Sequence, residues 1–483
     1  MIEMTLAEVA SAVGGVLHGA TGTEMVIGGV EFDSRRIGPG GLFVAVPGER
    51  VDGHDFAATA MAAGAVGVLA GRPVGVPSVV APRLAVGSPS TSYALAADTD
   101  GVGAAVLAAL SALARTVVHT LSQTGLHVVG LTGSSGKTST KDMVAALLAP
   151  LGPTVAPPGS FNNEIGHPWT ALRADATTRH LVLELSARAC GQIAALCQVA
   201  PPSIGVVLNV GSAHLGEFGS RDAVATAKGE LVEALPAAGL AVLNADDPVV
   251  AAMDRRTAAR VVRFGQSPSA QVRATELVPD GRGCFSFRLV TPVGQARVAL
   301  TVPGEHQVSN ALAAAAVAVE LGATPAGIAA VLGCYRPASR WRMEVTDRRD
   351  GVTVVNDAYN ANPESVAAAL RALVAMAGTE RRSWAVLGPL AELGEATAQA
   401  YRTIGALAVS LGVNRLVVVG EQARSLCSST AGSAPVLVAD AAAALEFLHG
   451  ELTPGDVVLI KASRTVGLER IADGLLDAEG SNR

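Results

Sequence analysis

The sequence predicts an α/β protein of three domains built on parallel β-sheets. Short apolar runs alternate with helix-length amphipathic segments along most of the 483-residue chain, which is typical of strand–helix–strand units. The chain is also too long for one hydrophobic core, because single cores stop growing at roughly 250–300 residues. A polar, irregular stretch at 88–101 and a change of pattern near Pro337 separate the expected domains, which are 1–90, 101–336 and 337–483.

The elements of each domain follow from the periodicity of apolar residues. The N-terminal domain is expected to be a small α/β module, with a helix at Leu6–Val13, strands at 30–33 and 42–46, a helix at 56–63 and a strand at 66–69. The central domain is expected to contain a helix at 104–118, strands at 180–185, 204–210 and Leu240–Asn244, and a hairpin within 273–302. The C-terminal domain is predicted to be Rossmann-like, with strands at 352–356, Ser383–Leu387, Arg415–Val419 and 457–460.

The segment 126–148 is the most informative part of the chain. A β-branched apolar run is followed by a glycine-rich turn, and 142–148 then has the apolar stripe of a helix. Glycines let backbone N–H groups approach phosphate oxygens, a helix N-terminus favours negative charge, and Lys137 adds a positive charge. The Thr138 hydroxyl is placed to bind the magnesium that accompanies a nucleoside triphosphate. The segment therefore predicts a phosphate loop that binds ATP, in a shortened form because Leu131 stands where the longer form has its first glycine.

The residues expected to contact the nucleotide in this loop share the strand–turn–helix segment. They are Thr132, Gly133, Ser134, Ser135, Gly136, Lys137, Thr138 and Ser139.

Composition excludes several classes of protein. A net charge of −6 and an aromatic content of 3% argue against a nucleic-acid partner. The five cysteines include no CxxC pair, so neither a disulfide framework nor a zinc site is expected. The longest apolar run, 101–114, ends at Arg115, short of the ~20 residues of a bilayer span, and the N-terminus lacks a signal-peptide pattern. We therefore expect a cytoplasmic enzyme without a membrane span. A monomer is the expected state, but the sequence leaves the oligomeric state open.

Polar residues lie near the predicted strand ends of the central domain, where parallel sheets bind ligands. Glu184 interrupts an apolar run, and a buried carboxylate is costly unless it is paired or holds a metal. An outward-facing strand residue is an equal alternative. His214 follows the next strand in a loop of small residues that would let a ligand approach, although most loop histidines are solvated. Lys228, taken alone, indicates only a lysine on a helix surface.

The C-terminal domain has a polar loop after its first predicted strand. Asn362 and Pro363 match the N-cap and the first position of a helix. A strand–helix loop with good capping chemistry is the simple alternative. Capping does not explain why Asp357, Tyr359 and Asn360 are crowded into the same short loop.

Together these segments resemble the Mur ligases, the ATP-dependent amide-forming enzymes that build the peptidoglycan precursor. The resemblance spans essentially the whole chain, and besides the phosphate loop it includes the segments 33–35, 39–43, 52–56, 162–168, 303–310 and 391–394. The Tyr-Asn-Ala-Asn-Pro string at 359–363 is the most specific part. It is similar to the branch that joins D-alanyl-D-alanine to UDP-N-acetylmuramoyl-tripeptide. The resemblance implies these two substrates and an acyl-phosphate intermediate.

The resemblance also implies roles for individual residues at the nucleotide and the metals. Lys137 would act on the ATP phosphates, and Thr138 and Glu184 would bind one magnesium ion. His214 and a carbamylated Lys228 would serve a second magnesium. Asn310 would face the adenine. Asp357 and Arg342 would reach the nucleotide from the C-terminal domain. Arg340 could take the place of Arg342, because the segment 339–343 aligns in two ways.

The peptide and sugar substrates are implied to bind elsewhere. Ser34 and Arg35 of the N-terminal domain would hold the uridine nucleotide. The other residues implied in substrate binding are polar side chains of two loops, namely Asn162, Asn163, Tyr359, Asn360 and Asn362.

The chain departs from the usual family pattern at Asn356, Pro389, Tyr401, Ser186 and Cys190. None of these positions is in the phosphate loop or among the implied metal ligands. Two alternatives compete with the dipeptide-adding enzyme. A sister ligase that adds a single amino acid is disfavoured because the chain lacks the Asp-Asn-Pro-Arg word associated with diaminopimelate or lysine addition. A nucleotide-binding regulatory paralogue would have no need for the implied metal ligands. The sequence leaves open whether the tripeptide carries lysine or diaminopimelate.

Overall fold

The computed structural model describes residues 1–48, 51–84, 98–212, 215–391, 393–394, 397–428 and 434–477. Within these ranges the chain forms a two-stranded, a five-stranded, a nine-stranded and a six-stranded sheet, with helices packed around them. We refer to residues 1–84 as the N-terminal block, 98–336 as the central block and 337–477 as the C-terminal block. Most of the linker expected at 88–101 lies outside the described residues.

The N-terminal block contains a mostly parallel sheet of order β2-β7-β6-β5-β4 and a short β1–β3 pair. Its strands are β1 (Met4–Thr5), β2 (Val16–His18), β3 (Met25–Val26), β4 (Val30–Glu31), β5 (Gly41–Val44), β6 (Ala65–Ala70) and β7 (Ser78–Val80), and its helices are α1 (Leu6–Val13) and α2 (Ala57–Ala62). Helix α1 has the bounds that the sequence predicts. Thr5 and Glu8 form a capping box at its start, and Gly14, at φ 65°, ends it in the left-handed conformation.

The nine-stranded sheet of the central block has the order β16-β15-β14-β13-β12-β11-β8-β10-β9, parallel from β9 to β14. Its strands are β8 (His127–Thr132), β9 (Thr154–Val155), β10 (His180–Glu184), β11 (Ile204–Val207), β12 (Leu240–Asn244), β13 (Arg260–Gly265), β14 (Val272–Pro279), β15 (Cys284–Thr291) and β16 (Gly294–Pro303). Its helices are α3 (Val102–Ser122), α4 (Lys137–Leu148), α5 (Gly166–Ala171), α6 (Gln192–Val199), α7 (Leu215–Phe218), α8 (Arg221–Glu233), α9 (Pro248–Ala251), α10 (His306–Glu320) and α11 (Pro325–Gly333).

The hairpin predicted within 273–302 is an antiparallel meander of three strands, β14 to β16. The prediction missed the second turn because Pro292 and Val293 are not a typical hairpin dipeptide. Alternation of apolar and polar residues continues through that turn, so periodicity alone does not reveal it.

Helix α3 is longer than both the apolar run at 101–114 and the helix expected at 104–118. The helix spans 21 residues, long and apolar enough to cross a membrane by length and composition alone. It does not stop at Arg115, because that side chain lies on the exposed face. In the structure 56% of its most apolar window is buried, and it packs against α1, α5 and α6. Such burial is what the core helix of a folded domain shows.

The N-terminal and central blocks share one hydrophobic cluster, in which Leu6 of α1 and Leu113 of α3 are fully buried. Trp169 of α5 connects the central block to the N-terminal block, because its indole nitrogen donates a hydrogen bond to the Val30 carbonyl at 2.9 Å. Phe32 lies edge-on to the same indole with ring centroids 5.7 Å apart. The end of β4 is therefore fixed against the central sheet.

The C-terminal block has a sheet of order β17-β18-β22-β19-β20-β21, parallel except for β17. Its strands are β17 (Glu344–Asp347), β18 (Thr353–Asn356), β19 (Ser383–Leu387), β20 (Arg415–Val419), β21 (Val436–Val438) and β22 (Val457–Lys461). Its helices are α12 (Pro363–Ala377), α13 (Thr397–Ser410), α14 (Ala441–Glu451) and α15 (Glu469–Asp477). Asn362 caps α12 and Pro363 is its first residue, as the sequence predicts.

We expect Trp169→Phe to lower the thermal unfolding midpoint, because it leaves the buried Val30 carbonyl without its donor at a cost of about 1–3 kcal/mol. Trp384→Phe is the matched control. Trp384 is also fully buried, but its indole nitrogen has no hydrogen-bond partner in the described part of the chain. Differential scanning fluorimetry should show the larger fall for Trp169→Phe, and equal falls would contradict a stabilising role for the hydrogen bond.

Candidate active site

The predicted phosphate loop connects the end of β8 to the start of α4, at the carboxyl edge of the central sheet. Gly136 occupies the N-cap position of α4 with φ +80°, a conformation that favours glycine. A Cβ atom at this residue would lie 2.5 Å from the Asn310 Oδ1 atom. The turn therefore requires glycine for two reasons, its backbone conformation and the close approach of Asn310.

Asn209, just beyond β11, fixes the conformation of the loop. Its backbone carbonyl accepts from the Ser134 N–H at 3.1 Å. Its side-chain amide accepts from the Ser135 N–H at 2.9 Å and donates to the Ser135 carbonyl at 3.2 Å. The Lys137 ammonium lies over the loop and donates to the Gly133 carbonyl at 2.8 Å. The loop backbone is thus held in place by Asn209 and Lys137.

Glu184 ends β10 and is 1% exposed, which rules out the outward-facing alternative. One carboxylate oxygen accepts from the Thr138 hydroxyl at 3.0 Å, and the other accepts from the Asn162 amide at 2.6 Å. Ser160 Oγ is 2.7 Å from Thr138 Oγ1. The structure therefore brings Thr138, Asn162 and Glu184 into one polar cluster at the base of the phosphate loop.

Arg342 reaches the same cluster from the C-terminal block. Its guanidinium donates to the Thr138 and Ser160 hydroxyls at 3.0 and 3.1 Å and lies 4.1 Å from the centroid of the Tyr359 ring. The residues on either side, Trp341 and Met343, have φ values of 59° and 48°, in the left-handed region that is costly for bulky side chains. This backbone directs Arg342 inward.

Arg340, the alternative that the sequence left open, is exposed and lies over the Trp341 ring at 5.4 Å. Of the two arginines, the structure thus brings Arg342 to the phosphate loop.

The loop 357–362 of the C-terminal block faces the phosphate loop. The Asn362 amide donates to the Ser134 carbonyl at 3.1 Å. Glu364, at the start of α12, accepts from the Ser212 N–H at 2.7 Å and from its hydroxyl at 3.1 Å. The C-terminal block therefore contacts both loops that follow the central strands β8 and β11.

A cleft of about 480 Å³ lies between the two blocks. The residues predicted from sequence that line it are Ser134, Ser135, Gly136, Lys137, Thr138, Ser139, Asn162, Asn163, Glu184, Asn310, Arg342, Asp357, Tyr359, Asn360 and Asn362. Thr132 and Gly133 do not line it. The Thr132 hydroxyl instead donates to the buried Leu185 carbonyl at 2.9 Å.

Asn310 lies deep in the cleft, where it accepts from the Thr140 hydroxyl at 3.2 Å and donates to Gln307 at 2.9 Å. Its side chain is therefore packed against the glycine turn of the phosphate loop.

Lys228 is buried in α8 rather than exposed on a helix surface, with 4% of its surface accessible. Burial lowers its pKa well below the usual value, and the nearby Lys137 charge lowers this pKa further. No group of three or more His, Cys, Asp or Glu residues able to hold a metal occurs in the ranges that the structure describes. His214 lies outside the described residues.

Ser34 and Arg35 are not brought into this cleft. The Arg35 side chain is 85% exposed and makes two hydrogen bonds to Asp33, at 2.9 and 2.8 Å. These bonds lower the pKa of Asp33 to about 2. The two residues form a separate polar surface on the N-terminal block.

The positions that depart from the family pattern have local contacts. Asn356 Oδ1 accepts from the Ala358 N–H at 3.2 Å, and the buried Tyr401 hydroxyl accepts from the Leu390 N–H at 2.9 Å. The Pro389 carbonyl accepts from the Ser463 N–H at 3.0 Å. Ser186 lines the cleft, whereas Cys190 is exposed outside it. Asn356 thus stabilises the loop that borders the cleft, and Tyr401 stabilises the loop that follows β19.

Sequence reasoning missed Ser160, Asn209 and Lys461, which also line the cleft. Lys461 carries a signal that was available, because it ends an apolar strand just as Glu184 does. His306 lay within a recognised segment without an assigned role; burial lowers its pKa to about 4, so its ring is neutral at pH 7. Ser160 had no comparable signal, since its position depends on tertiary packing.

A parallel sheet with a phosphate loop, joined to a second sheet that supplies an arginine and an amide loop, is the architecture of a nucleotide-binding enzyme. Three family descriptions match the chain in order: "Mur ligase family, catalytic domain" at 26–115, "Mur ligase middle domain" at 131–318 and "Mur ligase, glutamate ligase domain" at 341–464. The chain belongs to the Mur ligase family.

Several full-length relatives within that family carry the same name. The chain is 54% identical to the UDP-N-acetylmuramoyl-tripeptide–D-alanyl-D-alanine ligase of Mycobacterium tuberculosis over 100% of both chains. It is 34% identical to the ligase of the same name from Escherichia coli, over 98% of this chain and 99% of that one. The structure of MurF from Acinetobacter baumannii matches with a TM-score of 0.84 at 28% identity, covering 98% and 99% of the two chains. MurF ligase from Thermotoga maritima in complex with ADP matches at 0.77 and 27%, covering 95% and 99%.

We expect Gly136→Ala to abolish the rise in thermal midpoint that magnesium-ATP gives the wild-type protein. The added Cβ would clash with Asn310 and distort the backbone that faces the phosphates. Gly191→Ala is the matched control, because Gly191 is also an N-cap glycine, at φ +89°, with nothing within 4 Å of an added Cβ. It should lose only about 1–2 kcal/mol of stability and keep the ATP response. A wild-type ATP response in Gly136→Ala would contradict the assigned role of the loop.

Proposed function

We propose that this chain is the ATP-dependent ligase that joins D-alanyl-D-alanine to UDP-N-acetylmuramoyl-tripeptide, in the cytoplasmic synthesis of the peptidoglycan precursor. The observation that carries the proposal is the position of the 357–362 loop. This loop lines the same cleft as the phosphate loop, and Asn362 contacts Ser134 directly. Full-length similarity to ligases of that name supports the same conclusion.

ATP is proposed to bind with its phosphates on the loop 133–138, where backbone N–H groups, the α4 N-terminus and Lys137 favour negative charge. Asn310 and Asp357 line the rest of the nucleotide site. Arg342 is within hydrogen-bond distance of Thr138, so its guanidinium is close to where charge accumulates during phosphoryl transfer. Stabilisation of such charge by fixed donors is a major source of catalysis in this type of reaction.

A magnesium ion fits the floor of this site. The Thr138 hydroxyl and the Glu184 carboxylate lie 3.0 Å apart, and both are hard oxygen donors of the kind that magnesium prefers. Thr138 and Glu184 would hold the ion, and its charge would neutralise phosphate oxygens. We propose that a second ion is served by His214 and a carbamylated Lys228.

The carboxylate must be activated before the amide can form, because a carboxylate is a poor electrophile. The terminal carboxylate of the tripeptide attacks the γ-phosphorus of ATP, an acyl phosphate forms, and ADP leaves. The amine of D-alanyl-D-alanine then attacks the acyl carbon, so that the amide forms and phosphate leaves. Contacts of Asn362 and Glu364 with the central block cover the site, which protects the acyl phosphate from water.

The substrates are proposed to enter from different sides. Ser34 and Arg35 would hold the uridine nucleotide at the N-terminal domain (residues 1–90), outside the ATP cleft of the central domain (residues 101–336). Asn162 and Asn163 would lie along the path of the tripeptide towards the phosphates. The C-terminal domain (residues 337–483) would present its Tyr359–Asn360–Asn362 surface to the dipeptide.

With UDP-N-acetylmuramoyl-tripeptide and magnesium-ATP, we expect phosphate release to require D-alanyl-D-alanine. Single amino acids should support little release, because they leave unpaired the polar groups that recognise the dipeptide amide, and such mismatches can reduce the rate by ~10⁴. A coupled phosphate assay with D-alanyl-D-alanine, D-alanine and meso-diaminopimelate gives the comparison. Product with a single amino acid but not with the dipeptide would overturn the proposal.

We expect Lys228 to form a carbamate, because burial and the Lys137 charge lower its pKa and so favour the free amine that reacts with carbon dioxide. The amine nitrogen forms a bond to the carbon of carbon dioxide as a proton is released, and the side chain gains a carboxylate that can serve as an oxygen ligand. Carbon-13 NMR with labelled bicarbonate should show a carbamate resonance that Lys228→Met removes.

Lys141→Met is the matched control for this experiment, since Lys141 is equally buried but paired with Asp142. Its loss should leave the carbamate resonance in place. The absence of any resonance dependent on Lys228 at saturating bicarbonate would refute the carbamate.

A further inference from the structure

Lys461 is the last residue of β22, at the carboxyl edge of the C-terminal sheet. Strand β22 lies between β18 and β19, so Lys461 stands beside the point where β18 leads into the 357–362 loop. Only 2% of its surface is exposed. A lysine is rarely buried to this extent unless its charge is paired.

The ammonium of Lys461 has three acceptors, all in the 357–362 loop. They are the Asp357 carboxylate at 2.6 Å, the Asn360 carbonyl at 2.8 Å and, more weakly, the Asp357 carbonyl at 3.4 Å. An ammonium has three N–H groups, so these contacts use its whole donor capacity. Lys461 therefore has no donor left for a substrate, although it lines the cleft.

The residues that Lys461 holds are themselves connected to the phosphate loop. The second oxygen of the Asp357 carboxylate accepts from the Met343 N–H at 3.1 Å. Met343 follows Arg342, whose guanidinium contacts Thr138. At the far end of the same loop, Asn362 contacts Ser134. Fixing Asp357 and Asn360 thus fixes the segment between two contacts with the phosphate loop.

We propose that Lys461 is a positioning residue for the amine substrate, which orients the 357–362 loop so that Tyr359, Asn360 and Asn362 face the incoming dipeptide. The inference rests on the proposed function, because it specifies which group aligns the amine with the activated carboxyl. A buried ion pair adds little net stability compared with a well-packed apolar pair. The position of this pair beneath a substrate loop therefore favours orientation as its role.

The test compares Lys461→Met with Arg382→Met. Arg382 forms a 2.6 Å ion pair with the buried Asp456 at the opposite edge of the same sheet. Each substitution leaves a buried carboxylate without its cation, so both should lower the thermal midpoint. Only Lys461→Met should raise the KM for D-alanyl-D-alanine, by about 10–100-fold, the scale of a small misplacement of reacting groups. The KM for the UDP-linked tripeptide should not change in either variant.

Lys461→Arg, which keeps the positive charge, should recover part of the dipeptide KM, and it replaces Lys461→Met if the latter does not fold. A KM for the dipeptide that stays at the wild-type value, or that rises equally in Arg382→Met, would overturn the proposal. So would an equal rise in the KM values of both substrates.

Amide hydrogen exchange separates this inference from the proposed function. Exchange across 357–362 should be faster in Lys461→Met than in Arg382→Met, even if the wild-type enzyme proves not to use the dipeptide. Equal exchange in the two variants would refute a positioning role whatever the substrate is.

Discussion

The site depends on one constraint, which is that the backbone polar groups of a short phosphate loop must find partners in the rest of the protein while the loop still faces the cleft. Asn209 satisfies both the N–H and the carbonyl of Ser135, and Asn362 satisfies the carbonyl of Ser134. A Cβ atom at Gly136 would lie 2.5 Å from the Asn310 Oδ1 atom, so a larger residue there would displace the Asn310 side chain. Since unpaired buried backbone groups are costly, these three amides determine the shape of the loop.

The same constraint couples the C-terminal block to the nucleotide site. Asn362 and Arg342 belong to that block, yet their partners Ser134 and Thr138 are in the phosphate loop. The left-handed backbone at Trp341 and Met343 stores strain of about 1–3 kcal/mol per residue, and the Asp357 contact with the Met343 N–H helps to maintain it. Movement of the C-terminal block would therefore withdraw Arg342 and the 357–362 loop together, which is suited to a step that must exclude water and later release product.

Sequence patterns predicted the parts of the fold that depend on local chemistry. Helix Leu6–Val13 and strands Leu240–Asn244, Ser383–Leu387 and Arg415–Val419 have the predicted bounds, because capping residues and short buried runs define them. The turn before Gly294 was missed because it lacks a characteristic dipeptide. Helix α3, at Val102–Ser122, is longer than the predicted 104–118, because the polar residues at its C-terminus do not continue the apolar run.

The candidate site was predictable to a similar degree. The phosphate loop and Asn362 carry local signals of glycine conformation and helix capping. Whether Glu184 and Lys228 are buried depends on contacts between elements distant in sequence, and the choice between Arg340 and Arg342 depends on two unusual φ values. None of these properties has a local signature. Lys461 shows that a charge at the end of an apolar strand is informative even without a recognised motif.

We propose that the cleft transfers the γ-phosphoryl group of ATP to the tripeptide carboxylate. Labelling the terminal carboxylate of UDP-N-acetylmuramoyl-tripeptide with oxygen-18 tests this claim directly, because attack on the γ-phosphorus leaves one carboxylate oxygen bound to phosphorus. After a turnover with ATP and D-alanyl-D-alanine, mass spectrometry should find one labelled oxygen in the released phosphate and none in the nucleotide. Label in AMP, or unlabelled phosphate accompanying amide formation, would contradict the claim.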